Sequence, residues 1–277
     1  MSDAALREAL VSQLRRHGAV RSEPVAAAFR AVPRHRFVPG MPMGEAYADR
    51  AVAIKTLDDV VVSSISQPGM IAQMLELMAP SPGDDVLEVG TGSGYNAALL
   101  AEMVGPAGSV TTLELDEELA QRARTTLNEL GYLNVTVVAA DGSSYPLDAG
   151  RYDGLTVTAR SDDIADAWWH ALSDSGRMVI PLRLEGAGEY AVGFERRERG
   201  LSSVGACPCA FIAIRGDAAA ASEGDVFYRD PAERGVACVR RIGNVLAVRR
   251  EDASPDLFDL ADVVIARPVT VFAVTFA

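Results

Sequence analysis

The spacing of apolar and polar residues predicts alternating strands and helices through the middle of the chain. Short apolar runs rich in β-branched residues alternate with segments whose apolar residues recur every three or four positions. The predicted strands lie at 86–89, 109–115, 135–140, 152–158 and 176–182, and the helices between them at 95–103, 117–130 and 163–172. This alternation is typical of a parallel, doubly wound α/β sheet. The third strand is almost continuously apolar, so we expect it to be buried on both faces.

The flanking segments follow different patterns. Before the sheet, apolar periodicity and capping residues predict helices at 2–16, 23–31 and 70–78, with an extended segment at 33–39. After it, 190–197 and 201–215 predict an antiparallel hairpin that turns at Arg199-Gly200. A loose linker at 217–225 precedes strands at 236–249 and 263–276 and a weak helical signal at 255–260. We therefore predict a helical substrate-side segment (1–80), a main α/β domain (81–216) and a small α+β extension (217–277) packed on that domain.

Composition narrows the class of protein. The chain has 277 residues, a formal net charge of −12 and 49% hydrophobic residues, which favours a full core and argues against a general nucleic-acid binder. The small, odd number of cysteines, three in all, predicts reduced thiols. The spacing of Cys207 and Cys209, together with only three histidines, argues against a metal site. No apolar run has membrane-spanning length. We expect a cytoplasmic monomer that contacts neither membrane nor nucleic acid.

The candidate ligand site begins where the first sheet strand meets a glycine turn. Gly90, Gly92 and Gly94 follow the strand, and a helix begins at Tyr95. Tyr95 stands where a dinucleotide site would have its third glycine, which weakens an assignment as an NAD-dependent oxidoreductase. The acid Glu88 just before the turn suits the cationic amino-acid end of S-adenosylmethionine better than a pyrophosphate. A glycine-rich turn without any ligand is the alternative.

Two further acids end the next two strands. Glu114 can accept both hydrogen bonds from a ribose diol, and Asp141, followed by Gly142, can accept from an adenine amino group. The alternatives are a surface acid and a simple turn residue. Arg160 follows the fourth strand and falls at the same predicted edge.

Ser66 has two compatible interpretations. It lies just before the helix that begins near Pro68, so its hydroxyl is either the N-cap of that helix or a group facing the cleft beside the glycine turn. The basic segment 33–39 likewise predicts either a contact with a peptide or an acid, or a solvated turn.

Several motifs together resemble the protein-L-isoaspartate O-methyltransferase family, in order over about residues 5 to 215. They are Val-Pro-Arg-His-Arg-Phe-Val-Pro at 32–39, Ala-Tyr-Ala-Asp-Arg at 46–50, Ile-Ser-Gln-Pro at 65–68, Val-Leu-Glu-Val-Gly-Thr-Gly-Ser-Gly-Tyr at 86–95 and Val-Ile-Pro at 179–181. The resemblance implies a seven-stranded class I S-adenosylmethionine methyltransferase fold, a Rossmann-like doubly wound sheet. It also implies a carboxyl O-methyltransferase acting on aspartyl or isoaspartyl side chains in a peptide or protein.

The resemblance also assigns roles to residues. Ser66 corresponds to the active-site hydroxyl, the glycine turn to the site for the methionine end of the cofactor, Glu114 to the ribose site and Asp141-Gly142 to the adenine site. The full predicted cofactor site comprises Glu88, Gly90, Thr91, Gly92, Ser93, Gly94, Glu114, Leu115, Asp141 and Gly142. The predicted substrate side comprises Ser64, Ile65, Gln67 and Arg160.

Departures from the family pattern fall on the substrate side. An insertion at 55–59, Ser64 in place of Thr, Gly69 in place of a larger residue, Arg160 in place of a small one and the extension all differ. They resemble a branch that methylates an Asp in a ribosomally made modified peptide, where the ester closes to an aspartimide. We therefore favour peptide tailoring, with repair of isoaspartyl damage in proteins as the alternative. A non-catalytic module that binds the cofactor and a peptide is the third hypothesis.

Overall fold

The computed structural model describes residues 1–184, 188–197 and 200–217, together with the strands between residues 226 and 273 that are given below. The chain divides into two compact units, Met1–Gly142 and Ser143–Ala277. The N-terminal helices belong to the first unit because their side chains pack on the helix that follows the glycine turn. For example, the ring centroids of Phe29 and Tyr95 are 6.3 Å apart. The predicted boundaries at 80 and 216 differ from this division and stay a prediction.

The first unit holds the N-terminal helices, a hairpin and three sheet strands. Its helices are α1 (Asp3–Arg16), α2 (Glu23–Ala31), α3 (Met43–Ala46), α4 (Pro68–Met78), α5 (Tyr95–Val104) and α6 (Glu117–Glu129). Its strands are β1 (Val52–Leu57), β2 (Val60–Ile65), β3 (Asp85–Val89), β4 (Ser109–Glu114) and β5 (Val135–Ala139). A 3₁₀ helix at Arg34–Phe37 replaces the extended segment predicted there, because Arg34 turns inward and is fully buried.

The helix boundaries follow from local capping. Ser2 Oγ accepts from Ala5 N–H, and Ser22 Oγ accepts from Val25 N–H, as the sequence predicts for α2. Asp116 caps α6 by accepting from Leu119 N–H. Among the helices that the structure describes, none is long and apolar enough to cross a membrane.

The strands β3, β4 and β5 form the parallel sheet of the first unit. β4 lies between the other two, with Val89 opposite Leu113 and Glu114 opposite Ala139. β5 is an outer strand whose Thr136 and Ala139 are exposed. The prediction that it is buried on both faces is wrong, since an apolar composition does not reveal which strand of a sheet is outermost.

The second unit continues the α/β pattern and ends in antiparallel strands. It contains β6 (Tyr152–Val157), α7 (Asp166–Ala171), β7 (Leu172–Leu184), β8 (Gly188–Arg197) and β9 (Gly200–Pro208). β6 and β7 are parallel, whereas β7–β8 and β8–β9 are antiparallel. The predicted hairpin is confirmed, but β9 ends at Pro208 because proline has no N–H to donate. The helix predicted from residue 163 begins only at Asp166, and β7 begins at Leu172.

Within the described part of the extension, five short strands form one antiparallel sheet. They are β10 (Val226–Tyr228), β11 (Val236–Ile242), β12 (Val245–Arg250), β13 (Val264–Arg267) and β14 (Thr270–Ala273), paired in that order. Each long strand predicted here is therefore a pair of shorter ones. The predicted linker beyond Asp217 and the weak helical signal at 255–260 lie outside the described residues, and packing of the extension on the main domain stays a prediction.

Candidate functional site

The carboxyl ends of the three parallel strands of the first unit meet at one edge. Gly90 N–H donates to Leu113 C=O at 2.8 Å, so the glycine turn is fastened to the end of β4. Ala140 N–H donates to Glu114 C=O at 2.9 Å, which continues the pairing just before Asp141. The glycine turn, Glu114 and Asp141 are thereby brought to the edge where α/β sheets bind ligands.

The glycine turn needs its glycines for conformation and for packing. Gly90, Gly92 and Gly94 have φ angles of 99°, 55° and 88°, a region that residues with a Cβ rarely adopt. A Cβ on Gly94 would also lie 3.2 Å from Leu127 Cδ1 on α6. The half-buried Ser93 completes the turn. The turn therefore presents backbone rather than bulky side chains at the start of α5.

Glu114 is a buried acid that organises this edge. Its Oε2 accepts from Gly92 N–H at 2.8 Å and its Oε1 accepts from Asp116 N–H at 3.1 Å. A carboxylate can accept about four hydrogen bonds, so these two leave capacity for a ribose diol. The next residue, Leu115, is 44% exposed and offers an apolar surface of the kind that a flat base covers.

Asp141 and Gly142 lie beside the end of the first strand. A Cβ on Gly142 would lie 2.5 Å from Val89 Cγ1, so a larger residue would push the two chain segments apart. Asp141 is half-buried. The close approach keeps Asp141 next to the glycine turn, where the sequence predicts the adenine site.

The side chains of Glu88 and Thr91 are buried, whereas the sequence predicts that they contact the ligand. Glu88 is 0% exposed, and its two oxygens accept from Asn96 Nδ2 at 2.8 Å and Thr112 Oγ1 at 2.6 Å. Thr91 Oγ1 and Thr112 Oγ1 are 2.6 Å apart and hydrogen-bonded. Strand alternation directs Glu88 into the space between the sheet and α5, so this network braces the turn from behind.

Burial raises the pKa of Glu88 to about 7 from an ordinary value of 4.5, and the nearby Glu114 acts in the same direction. The hydrogen bonds from Thr112 and Asn96 oppose this rise. As the pH rises, Glu88 therefore loses its proton at a lower pH in the unfolded chain than in the folded protein. The free energy of unfolding should fall between pH 4.5 and about 7, by about 3 kcal/mol from this group.

Replacing Glu88 by Gln should remove this dependence. Gln keeps an oxygen for Asn96, and Thr112 can reverse its hydroxyl to accept from the new amide and donate to Thr91. The variant should therefore be more stable than wild type at pH 8, with the difference vanishing below pH 4.5. Urea unfolding of both proteins across this range measures it. Glu102→Gln, an exposed change on α5, is the control, and parallel curves for wild type and Glu88→Gln would contradict the assignment.

Ser66 is not the N-cap of α4. The N-cap position belongs to Gln67, which makes no side-chain capping bond, and Asp49 Oδ1 instead accepts from Gly69 N–H at 2.7 Å. Within the described part of the chain, no hydrogen bond uses Ser66 Oγ, and the residue is half-buried. Its hydroxyl is therefore available to a ligand.

Ser66 is held by Arg34, a residue that the sequence prediction left as a surface or contact residue. Arg34 is 0% exposed, and its guanidinium donates to the carbonyls of Ser66 at 3.0 Å, Arg50 at 3.3 Å and Ala46 at 2.9 Å. Its Cζ lies 4.8 Å from the ring centroid of Tyr95, the first residue of α5. Burial lowers the pKa of Arg34. One buried cation thus joins the Ser66 backbone to the helix that begins at the glycine turn.

The hairpin β1–β2 leads into Ser66 and lies against the glycine turn. A Cβ on Gly92 would be 3.6 Å from Ile54 Cδ1 and 3.8 Å from both Ser63 Oγ and the Ser64 carbonyl. Of the predicted substrate residues, Ser64 is half-buried, Ile65 is buried and Gln67 is exposed. Ile65 pairs with Val52 and belongs to the core, so Ser64 and Gln67 are the accessible members of this set.

Arg160 lies in the second unit and is held by an ion pair. Its Nη1 donates to Glu189 Oε1 at 2.9 Å, and its backbone pairs with residues near Ala213. Glu189 also accepts from Phe211 N–H. The guanidinium is thus partly neutralised within its own unit, and a role in binding substrate stays a proposal.

Comparison with known proteins identifies the family of the chain. A family model for protein-L-isoaspartate(D-aspartate) O-methyltransferase (PCMT) matches residues 5–218. The chain is 39% identical to the protein-L-isoaspartate O-methyltransferase of Hyperthermus butylicus over 76% of its own length and 89% of that protein. It is 44% identical to the enzyme of the same name from Ignicoccus hospitalis, over 64% of this chain and 81% of that one.

Solved structures show the same fold. A protein-L-isoaspartate O-methyltransferase superposes with a TM-score of 0.73 at 21% identity, covering 97% of this chain and 99% of that one. A Plasmodium falciparum protein of that description, in complex with S-adenosyl-L-homocysteine, gives a TM-score of 0.64 at 18% identity, covering 76% and 98%. The class I S-adenosylmethionine methyltransferase fold is confirmed. By its matching family model and its relatives, the chain belongs to the protein-L-isoaspartate(D-aspartate) O-methyltransferase family.

Proposed function

We propose that this protein transfers a methyl group from S-adenosylmethionine to the side-chain carboxylate of isoaspartyl residues in proteins and peptides, as a repair enzyme. Its family and its relatives carry the name of this activity. Repair now has more support than peptide tailoring, which the departures in sequence favoured.

One observation carries the proposal. Arg34 bonds the Ser66 carbonyl at 3.0 Å and stacks on Tyr95 at 4.8 Å, with no exposed surface of its own. A methyl transfer between two bound molecules depends on holding the acceptor oxygen in line with the donor carbon. The buried Arg34 side chain links Ser66, on the acceptor side, to the helix α5, on the donor side, and this link is suited to that requirement.

The residues at the sheet edge fit the cofactor. A buried carboxylate with remaining acceptor capacity (Glu114), an exposed apolar side chain (Leu115) and a second acid (Asp141) match a ribose, a base face and an amino group. The positive-φ turn from Gly90 to Gly94 offers backbone to the amino-acid end. Glu88 and Thr91 would support this site from the interior rather than contact the ligand.

The chain's own residues have little proton chemistry to perform. The cofactor supplies a methyl group on a positively charged sulfur, and a substrate carboxylate is already ionised at pH 7. Ser66 would donate a hydrogen bond that orients the carboxylate, leaving its other oxygen as the nucleophile. In the methyl ester that forms, methoxide is a far better leaving group than the oxide of a carboxylate. The neighbouring backbone nitrogen of the substrate attacks the ester carbonyl carbon and gives up its proton, methanol leaves, and a succinimide is closed. Hydrolysis of that ring restores Asp.

Tailoring of a dedicated peptide is the second candidate. The inserted residues 55–59 lengthen a hairpin that leads into Ser66, and Gly69 lies close to the Asp49 carboxylate, since a Cβ at Gly69 would lie 3.1 Å from it. The extension no longer favours this candidate. A protein-L-isoaspartate O-methyltransferase structure is matched over 97% of this chain, so that fold is not special to a tailoring branch.

The test uses two peptides that differ only in carrying isoAsp or Asp at one position. Each is incubated with the protein and S-adenosylmethionine and followed by mass spectrometry. Repair predicts a gain of one methyl on the isoaspartyl peptide and none on the aspartyl peptide, whereas tailoring predicts methylation of Asp in a specific peptide and accumulation of the succinimide.

Failure also has a clear form. A protein that binds S-adenosylmethionine in calorimetry but methylates neither peptide would contradict the repair proposal and would agree with either a dedicated peptide substrate or the non-catalytic binding module. A protein that does not bind it at all would refute the methyltransferase proposal.

A further inference from the structure

The hairpin that leads to Ser66 is fastened to the cofactor side by a single lysine. Lys55 is the only lysine in the chain, which otherwise uses arginine for its cationic side chains. It lies on β1, within the segment inserted relative to the family pattern. Its Nζ is 2.6 Å from Asp116 Oδ2 and 3.0 Å from Glu118 Oε2, at the beginning of α6.

This ion pair is better defined than a typical surface one. The side chains of Lys55 and Asp116 are only 20% and 16% exposed. Asp116 Oδ1 caps α6 through Leu119 N–H, so Oδ2 is the oxygen left for Lys55. Lys55 therefore does not compete with the cap. The hydrogen bonds to Asp116 and Glu118 raise the pKa of Lys55, and the hydrogen bond from Lys55 lowers the pKa of Asp116. Lys55 is therefore charged at neutral pH.

The contacts around Lys55 close a ring that includes the ribose-site acid. Asp116 N–H donates to Glu114 Oε1, and Gly92 N–H donates to Glu114 Oε2. Gly92 in turn faces Ile54, the neighbour of Lys55 on β1. A Cβ added at Gly92 would lie 3.6 Å from Ile54 Cδ1. The hairpin thus touches the cofactor edge twice, through packing at Gly92 and through charge at Asp116.

The charge is needed because this edge is strongly acidic. Glu114, Asp116, Glu117 and Glu118 lie within five positions of one another in a chain of net charge −12. Without a cation, repulsion among these carboxylates would favour a displacement of residues 116–118 away from the buried Glu114. Lys55 neutralises part of this charge and holds the segment against the hairpin.

We propose that Lys55 is a positioning residue for cofactor binding, which fixes Glu114 and Gly92 by bridging the substrate-side hairpin to Asp116. This inference rests on the proposed function, because it takes the ribose at Glu114 to be that of S-adenosylmethionine. It predicts that loss of the lysine charge weakens cofactor binding while the reaction at saturation is little changed. It also explains why an insertion on the substrate side is tolerated next to the cofactor.

The experiment measures binding of S-adenosylhomocysteine by calorimetry, separately from turnover. Lys55→Gln should raise Kd about five- to tenfold, with kcat at saturating cofactor within twofold of wild type. Lys55→Arg should stay within threefold, since it keeps a cation. Asp116→Asn keeps an oxygen for the cap and should match Lys55→Gln, and the double variant should be no weaker than either single one.

The control removes a different ion pair from the same helix. Glu129 lies at the far end of α6 and pairs with Arg36 at 3.3 Å. Glu129→Gln should leave Kd unchanged. An equal rise in Kd for Glu129→Gln and Lys55→Gln would overturn the proposal, because loss of any ion pair to α6 would then have the same effect. A Kd for Lys55→Gln within twofold of wild type would also overturn it.

The single lysine permits a second test on the folded wild-type protein. Acetylation of amines removes the charge of Lys55, whereas reductive methylation keeps it, and Lys55→Arg treated in the same way controls for the N-terminal amine. Acetylated wild type should lose affinity as Lys55→Gln does, and methylated wild type should not. Equal affinities after both treatments would refute the positioning role. Wild type that does not bind S-adenosylhomocysteine at all would instead refute the proposed function.

Discussion

Replacing Ser66 by alanine should lower kcat/KM for an isoaspartyl peptide about 100-fold, the usual effect of removing one oriented hydrogen-bond donor from an active site. The hydroxyl makes no hydrogen bond within the described part of the chain, so its loss should leave stability nearly unchanged. Binding of S-adenosylhomocysteine should also stay the same, because the serine serves the acceptor and not the donor. Steady-state kinetics with a synthetic isoaspartyl peptide and calorimetry measure the two effects.

Ser81→Ala is the matched control, since Ser81 is an exposed serine in the loop before β3. It should behave as wild type in both measurements. If Ser66→Ala retained a third or more of the wild-type kcat/KM, Ser66 would have no role in orienting the carboxylate. The adjacent Ser64 would then be the hydroxyl to examine.

Replacing Arg34 by alanine should lower the free energy of unfolding by about 3–5 kcal/mol, the range for breaking a buried charged network. Three carbonyls, those of Ala46, Arg50 and Ser66, would lose a donor, and the ring of Tyr95 would lose the guanidinium packed on it. Urea unfolding monitored by circular dichroism gives the stability. Activity should fall as well, at temperatures where the variant is still folded, because the Ser66 backbone would no longer be held.

Arg34→Lys separates the charge from the geometry. A lysine keeps the cation but cannot reach three carbonyls in the fixed plane of a guanidinium, so it should recover only part of the stability. Exposed Arg36 lies on the same 3₁₀ helix, and Arg36→Ala should change stability by less than about 1 kcal/mol. Equal losses for Arg34→Ala and Arg36→Ala would contradict the buried role of Arg34.

Strong local signals made much of the fold predictable from sequence. The helices α1, α2, α4 and α5 have regular apolar spacing, and α2 also has a capping serine whose bond is observed. The strands β3, β4 and β6 are β-branched and apolar, and their observed bounds lie within one residue of those predicted. Because the carboxyl ends of parallel strands share an edge, the convergence of the glycine turn, Glu114 and Asp141 followed from this pattern as well.

The hairpin β1–β2 was missed because its signals are weak. β1 mixes Lys55 and Thr56 with apolar residues, and the turn is Asp58-Asp59 rather than a pair containing glycine or asparagine. Both aspartates have positive φ, 47° and 64°, as a two-residue hairpin turn with matching twist requires. Two apolar runs separated by two residues were the available sign.

Side-chain direction could not be predicted for the acids and bases of the site. Glu88 lies on the expected strand, but composition does not say which face of a strand meets the helix and which meets a ligand. A cluster of basic residues usually lies in solvent, yet Arg34 is fully buried while Arg36 is exposed. Tertiary packing determines which of these side chains are buried, and the local spacing of residues in the sequence does not reveal it.

The burial of Arg34 has a consequence for attack by proteases. Trypsin cleaves after arginine only when the side chain enters its specificity pocket and the adjoining backbone enters its active-site cleft. Arg34 reaches that state only if its hydrogen bonds to the three carbonyls and its contact with Tyr95 are broken. A tryptic cut at this peptide bond would therefore report each excursion in which the segment carrying Ser66 detaches. Ligands that bind only the assembled site would slow that cut in proportion to their occupancy.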